Sequence, residues 1–502
     1  MCYGQRLQAQ MMRRGACELA VFVCGAAVMV FELTGSRVLA PYAGTSLYVW
    51  TNLVGVILAS LSVGYWWGGR IADRRPDARL LSLLVFMAAV CVGLTALLKD
   101  KLLSSLQAWV SGHGTLSLCA SLVLFAPANV FLGMVSPHAA RLKIRDLGSS
   151  GSVVGRLYAL SALGSITGTF LAGFVLIPAF GSGRLLLLTS AALGLLSLAV
   201  FGGRLAKARV GMLFLLLAVG RFMRGDGLRD VMLDIDTPYN RVWIYRDTDE
   251  ETGRPILALS TDPYGQESAM YLDGEDLVFD YMKFFRLAEQ FAPGFRRTLM
   301  IGGAAYAYPK YFLRRYPDAR IDVVEIDPML TEISRKYFNL RDNPRLTVLH
   351  EDGRTFLNRS GNKYDMIIID AFRDANCLPY QLTTVEAVRR MSDMLTEGGV
   401  VLANIIGAVD GVNGRFTRAE YATYAELFPR VMLFPVGDPE NAREVQNIIL
   451  AALKSNREPA PESADAEMNR YLSHLWKNVV AADVPVLTDD RAPVEYYLGR
   501  VR

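Results

Sequence analysis

Thr298-Leu299-Met300-Ile301-Gly302-Gly303-Ala304-Ala305 is a short apolar run that ends in a glycine pair. Such a run reads as a buried strand whose end lets backbone approach a ligand closely. The pattern continues downstream. Ile321-Asp322-Val323-Val324-Glu325, Leu346-Thr347-Val348-Leu349-His350, Met366-Ile367-Ile368-Ile369-Asp370 and Val400-Val401-Leu402-Ala403-Asn404 read as four more strands. Helices are predicted near 306–316 and from Pro328 to Phe338. The turn Gly398-Gly399 precedes the fifth strand. Continuous apolar strands alternating with helices imply a parallel sheet covered on both faces. Apolar stretches at 431–436 and 447–453 are expected to finish it as an antiparallel hairpin.

In such sheets ligands bind at the carboxyl ends of the strands. The first strand ends in Gly302-Gly303, the second in Glu325, the third in Glu351-Asp352-Gly353 and the fourth in Asp370. An acid about 22 residues after the glycines is placed to accept ribose hydroxyls. Asp352 is placed to accept the adenine amine. No Gly-x-Gly-x-x-Gly or Gly-Lys-Ser/Thr is present, and Ala305, Tyr306 and Ala307 fill the turn. The spacing therefore points to a nucleoside with a short tail rather than a dinucleotide. A carboxylate that merely caps the next loop is the alternative for Asp370, since Asp374, Asn376 and Pro379 carry turn chemistry.

Upstream, 239–247, 255–261 and 268–273 alternate apolar and polar residues and read as a small antiparallel sheet. Before residue 223 the chain changes character. Seven apolar stretches lie at roughly 16–38, 49–69, 80–98, 116–138, 157–178, 184–202 and 208–222, against the roughly 20 residues of a membrane span. The first six are long enough and the seventh is short. Gly55, Gly64, Gly68 and the run Ala162 to Gly168 are small residues of the kind that let bilayer helices approach closely. Glu32 and Arg37 close the first stretch, and charges at that depth usually face a polar interior or each other. Arg13 and Arg14 precede the first stretch, and Arg70, Arg74, Arg75, Arg79, Arg141, Lys143, Arg145, Arg156, Arg204, Lys207 and Arg209 follow the second, fourth and sixth, with Lys99 and Lys101 as exceptions in the alternate loops, so the N-terminus is expected inside. Six spans would leave the C-terminal half cytoplasmic, and seven would place it outside. A cytosolic adenosyl ligand favours the cytoplasmic side.

The 502 residues are too many for one ordinary core, and divisions at 1–223, 224–290 and 291–502 are expected. A net charge of only +4 argues against nucleic acid as a partner. The six cysteines have no paired spacing, so neither a disulfide framework nor a metal site is indicated. The expected partners are the lipid bilayer, a small amine and a second copy in a homodimer.

Several motifs resemble those of the spermidine synthases, the polyamine aminopropyltransferases. They are Met300-Ile301-Gly302-Gly303, Val324-Glu325-Ile326-Asp327-Pro328, Glu351-Asp352-Gly353, Ile368-Ile369-Asp370 and Thr396-Glu397-Gly398-Gly399-Val400. Tyr239-Asn240, Gln266 and Tyr281 resemble the N-terminal β-domain of that family. Phe31 to Arg37, Pro41-Tyr42, Gly68 to Asp73 and Leu487 to Glu495 resemble bacterial proteins in which a multispanning region is fused to such a domain.

The resemblance implies a multispanning α-helical membrane domain, a small N-terminal antiparallel β-subdomain and an α/β Rossmann-like domain of the class I methyltransferase type. It further implies an inner-membrane transferase without metal. The donor would be decarboxylated S-adenosylmethionine, or S-adenosylmethionine itself. Glu325 and Asp352 would hold the adenosine, with Gly302, Gly303, Gly353 and Gln266 around it. Tyr281, Asp374 and Tyr239 would face the amine, and Asp370 would orient and deprotonate it. Departures are visible. Ala305 stands where the family has an aspartate for the donor's amine, Met282-Lys283 replaces a histidine-glutamate pair, and Arg373 replaces the second loop acid. These losses of negative charge leave room for a methyltransferase-like use of S-adenosylmethionine. A transporter or sensor with a nucleoside-binding domain is the other alternative.

Overall fold

The computed structural model describes residues 15–110, 112–144, 146, 148–200, 206, 209–212, 230–261, 266–372, 378–456 and 458–498. Asp374, Arg13, Arg14 and most of the 208–222 stretch lie outside the described residues. The chain forms two compact units, one of Met1–Leu228 with Ile235–Arg241, the other of Arg229–Asp234 with Val242–Arg502.

The first unit is helical. Its helices are α1 (Ala16–Ala43), α2 (Leu47–Arg74), α3 (Ala78–Trp109), α4 (His113–Leu124), α5 (Ala126–Lys143), α6 (Ser150–Leu171) and α7 (Ile177–Val200). Among the described residues α1, α2, α3 and the run from Ser150 to Val200 are each long and apolar enough to cross a bilayer. Helices α4 and α5 form one bent pair at 51°, with a proline in the first turn of α5 that cannot continue the hydrogen-bond ladder. The run through α6 and α7 contains a π-turn at Ala172–Leu176 and a non-helical Gly181 (φ 71°). Its two parts pack on different neighbours, α6 on α1 and α7 on α3. Large apolar side chains such as Trp66, Trp67, Phe170, Phe174 and Leu195 remain exposed. A surface of that kind suits a lipid environment.

Glycines set two of the helix contacts. A Cβ at Gly164 would fall on the Phe22 carbonyl, and one at Gly168 would meet Ala26. A Cβ at Gly64 would fall on Val130 O, and one at Gly68 would lie 2.6 Å from Met134 Cα. Close backbone approach maximises van der Waals contact where lipid removes any hydrophobic drive between helices. Gly55 has no atom within 4 Å of such a Cβ, so it does not share this role. Arg37 turns to the carbonyls of Thr237 and Pro238 rather than to Glu32.

Helices α3 and α7 run antiparallel, with Ser82 Oγ on Ser197 O at 2.7 Å and Ser190 Oγ on Ala89 O at 2.7 Å. Arg209 sits at the Ser82 end, its Nη1 2.5 Å from Ser82 Oγ. Arg241 bonds Asp100 at 3.1 Å, and Asp236 accepts from Ser182 N and Oγ at 2.9 and 3.0 Å. Helix α3 rises about 27 Å between Ser82 and Asp100, close to the thickness of a hydrocarbon core. Arg209 and Arg241 therefore lie at opposite ends of α3.

The second unit holds two sheets. The smaller is antiparallel, in the order β1 (Asp230–Asp236), β2 (Arg241–Thr248), β3 (Pro255–Ser260), β4 (Ser268–Tyr271). The larger contains β5 (Arg297–Ile301), β6 (Arg320–Glu325), β7 (Leu346–His350), β8 (Tyr364–Ile369), β9 (Leu395–Gly407), β10 (Arg430–Pro435) and β11 (Gln446–Leu453). Its order is β10-β11-β9-β8-β5-β6-β7, with β5 to β9 parallel, β11 reversed between β9 and β10, and β10 running in the direction of β9. This is the Rossmann-like methyltransferase arrangement, and the apolar runs of β5, β8 and β9 are its fully covered strands. Strand β7 is an edge and only half-buried. Gly398-Gly399, expected as a turn before the fifth strand, lies inside β9, at an irregularity where Tyr364 pairs with Leu395 but Met366 with Val400.

Gly164→Leu should lower the thermal stability of the detergent-solubilised protein sharply, while Gly55→Leu should leave it nearly unchanged; equal melting curves would remove the close approach as a requirement.

Candidate active site

The carboxyl ends of β5, β6 and β8 converge because β5 lies between the other two. Gly302 follows β5 with φ 97°, and a Cβ there would strike the Asp370 carbonyl. Only glycine lets these two strand ends meet. Asp370 N donates to Ile301 O at 2.9 Å and fixes the register of the meeting.

The loop beyond Gly302 is strained. Ala304 (φ 44°) and Tyr306 (φ 55°) both occupy the left-handed region, at about 1–3 kcal/mol each for residues with a side chain. Anchors over-determine it. The fully buried Tyr306 hydroxyl meets Thr331 Oγ1 at 2.7 Å, which in turn meets His350 Nε2 at 2.9 Å. Ser334 Oγ donates to Ala304 O at 3.1 Å. Tyr306, part of the turn that departs from a dinucleotide signature, is therefore the residue that shapes it.

Glu325 ends β6, is 5% exposed and closes the loop. Its Oε2 accepts from Gly303 N at 2.8 Å and Ala304 N at 3.1 Å, and its Oε1 from Asp327 N at 2.9 Å. Burial raises its pKa from the usual carboxylate value, and the backbone N–H groups oppose that rise. A carboxylate has about four acceptor positions, so capacity remains for a hydroxyl. Asp352 Oδ1 caps the helix Gly353–Arg359 by accepting from Thr355 N at 2.9 Å and Thr355 Oγ1 at 3.1 Å. Its Oδ2 has no partner among the described residues. Gly353 is packed tightly, since a Cβ there would lie 2.6 Å from Ile301 Cγ2.

Asp370 is held from two sides. Tyr281 Oη donates to Oδ2 at 3.2 Å and Asn404 Nδ2 donates to Oδ1 at 3.0 Å. Burial pushes its pKa up to about 6, with the Asn404 and Tyr281 bonds pulling the other way. Tyr281 stays a proton donor: burial, and next the Asp370 charge, raise its pKa well above the ordinary tyrosine value. Its ring lies between Phe279, near-parallel at 6.1 Å, and Phe285, edge-on at 6.0 Å.

Gln266 donates to Asp247 Oδ2 at 3.0 Å, within the small sheet. Tyr239 is exposed, its N–H on Thr237 Oγ1 at 3.1 Å, and it belongs with the first unit. Neither is drawn to Asp370 by a hydrogen bond. Two residues near Asp370 carried no signal in the sequence: Asn404, the buried last polar residue of an apolar strand, and Glu267, whose charge acts on Tyr281. Ala305 is fully buried, so no carboxylate points from that position.

The site is thus the end of a Rossmann-like sheet, with acids at successive carboxyl ends and a glycine loop closed by Glu325. Residues 285–407 match the model of the spermine/spermidine synthase domain. The chain is 28% identical over 207 residues to a polyamine aminopropyltransferase of Vibrio vulnificus, covering 40% of this chain and 66% of that one. It is 24% identical over 417 residues to polyamine aminopropyltransferase 2 of Ralstonia nicotianae, covering 76% of this chain and 77% of the relative. A crystal structure of a probable spermidine synthase from Corynebacterium glutamicum aligns with a TM-score of 0.40 at 26% identity, over 49% of this chain and 87% of that one. The chain spans about two thirds of the Vibrio enzyme and 48% of a probable polyamine aminopropyl transferase of Bifidobacterium longum. Residues 285–407 thus resemble a spermine/spermidine synthase domain, and the chain is similar to polyamine aminopropyltransferases, a kind of transferase, over three quarters of its length.

Glu325→Gln should weaken binding of methylthioadenosine by roughly 1.5–3 kcal/mol, the worth of a hydrogen bond to a charged group. Titration calorimetry giving an unchanged affinity would remove Glu325 from the adenosine site.

Proposed function

We propose that the protein is a membrane-bound aminopropyltransferase, moving an aminopropyl group from decarboxylated S-adenosylmethionine to a small amine. The observation that carries this reading is Asp370, a half-buried carboxylate with its pKa raised to about 6 at the end of β8, beside the adenosine-type loop. The residues fit an adenosyl donor. Gly302 and Gly303 leave room for the nucleoside, Glu325 has acceptor capacity for ribose, and Asp352 Oδ2 for the adenine amine. The donor supplies a sulfonium-bound carbon open to displacement.

The chain's own residues do the rest. An ammonium acceptor has no lone pair, so it must lose a proton before it attacks. Asp370 as carboxylate attracts the cation, orients it through one oxygen and accepts its proton. Tyr281 holds the other oxygen and gives the acceptor an aromatic wall, a surface that attracts cations. The reaction forms a carbon–nitrogen bond and breaks a carbon–sulfur bond, whose electron pair leaves with the thioether. Glu267 supplies a further negative charge near Tyr281.

The long apolar helices support a multi-pass place in the cell membrane. A cytosolic donor requires the site on the cytoplasmic face. Seven crossings with arginine-rich loops inside would put it on the other face, so labelling of Tyr239→Cys from outside intact cells would exclude the cytosolic donor.

Purified protein incubated with each adenosyl donor and a panel of amines should give an aminopropylated product by mass spectrometry with the decarboxylated donor. Product from S-adenosylmethionine alone would replace this reading by alkyl transfer of another kind. Asp370→Asn should keep methylthioadenosine binding and lose roughly 10²–10⁴ of turnover, the usual share of a positioned base. Because the carboxylate form acts, wild-type kcat/KM should fall tenfold per pH unit below about 6. Near-wild-type turnover by a folded Asp370→Asn protein would leave Asp370 as a loop cap.

A further inference from the structure

One oxygen of Asp370 accepts from the Asn404 amide of β9, and that amide is in turn held by Asn447 of β11, a strand of the opposite direction. Strand β9 runs parallel to β8, with Ile369 opposite Ala403. The next position along each strand is Asp370 and Asn404, and Asn404 Nδ2 lies 3.0 Å from Asp370 Oδ1. Strand β11 is inserted antiparallel beside β9, with Ile449 opposite Asn404. Asn447 is two residues from Ile449, so it shares a face with Asn404 as its diagonal neighbour. Asn447 Nδ2 donates to Asn404 Oδ1 at 3.0 Å.

The two bonds fix one orientation. With the Asn404 amide turned over, its carbonyl would face the Asp370 carboxylate and its amino group would face that of Asn447. Both contacts would be repulsive. Asn404 is 1% exposed in an otherwise apolar strand, where an amide without partners costs free energy. Structure alone would be served as well by another apolar residue among Leu402, Ala403 and Ile405.

We propose that Asn404 and Asn447 are positioning residues for the reaction: Asn404 holds one carboxylate oxygen of Asp370, and Asn447 fixes which end of that amide faces it. The proposal rests on Asp370 being the base that receives the acceptor's proton. It assigns the third point of a frame whose other side is the Tyr281 hydroxyl on Oδ2.

The test is the pH dependence of kcat/KM for the full-length protein in detergent, with methylthioadenosine affinity as the control. Among the described residues the titratable groups facing Asp370 are Tyr281 directly and Glu267 through Tyr281; neither is altered. Asn404→Leu removes a donor to the carboxylate. The acid limb should move up by on the order of one pH unit, with kcat lowered about tenfold and methylthioadenosine binding unchanged. Asn404→Asp, almost the same size, should move the limb farther, since a like charge opposes ionisation. Asn447→Leu should move it in the same direction by less. The double variant Asn404→Leu/Asn447→Leu should be no worse than Asn404→Leu, because Asn447 acts only through Asn404.

A folded Asn404→Leu protein with an unmoved limb overturns the proposal, as does additivity of the two variants. The pH dependence of amine binding, followed by calorimetry, gives the same limb without turnover. If wild type forms no product from either donor yet that binding limb moves in Asn404→Leu, the frame around Asp370 stands and the aminopropyl chemistry does not.

Discussion

Everything at the ligand end of the larger sheet depends on the buried carboxylate of Glu325. A buried carboxylate is costly unless hydrogen bonds replace its water. Here three backbone N–H groups do so, two of them from the glycine loop. The same bonds draw the loop back over the end of β6. The loop can take that path only with positive φ at Gly302, Ala304 and Tyr306. Two of those three are not glycine, and the strain is held by the Tyr306–Thr331 and Ser334–Ala304 bonds. With the loop closed, the β5 end approaches Asp370 so nearly that no side chain fits between them.

Charge is handled differently on the two sides of this site. The side proposed for adenosine is a set of acceptors fixed by backbone and helix capping, with Asp352 both capping and keeping one oxygen open. The side proposed for the amine is a single acid framed by a tyrosine and an amide, in surroundings that shift its pKa toward the range useful for proton transfer. Elsewhere in the same unit, burial leaves carboxylates without chemistry: Glu420 is 2% exposed, with its pKa raised well above the carboxylate range by burial. Position at a strand end, not the shift alone, separates Asp370 from it.

The helical unit obeys other rules. Its helices meet where glycines permit backbone contact, in α1 with α6 and α2 with α5. Its outer surface keeps large apolar groups. Two of its charged groups are paired in place, Lys99 to Asp100 at 2.6 Å with Arg241 added, and Lys143 to Glu18 at 2.9 Å.

Much of this was legible in the residues. Period and length gave the apolar helices and the parallel strands, because burial on one face or two leaves a direct imprint on the order of side chains. The acids at 325, 352 and 370 were legible because strand ends are where a covered sheet meets solvent. What the chain order could not contain is which neighbours each strand end acquires. Gly398-Gly399 signals a turn locally, yet the pairing of β8 with β9 draws it into an irregular strand. Gly55 reads like Gly64, but only the helix packing separates a contact from an open face. Asn404 and Asn447 stand 43 residues apart and carry no local signal. They meet beside Asp370, Asn447 reaching it only through Asn404, because β11 inserts antiparallel next to β9, and a diagonal pair exists only once that register is formed. Sequence by itself determined the classes of element and the acids available; tertiary pairing decided which side chains frame the reacting carboxylate, because hydrogen bonds across a sheet depend on register rather than on distance along the chain.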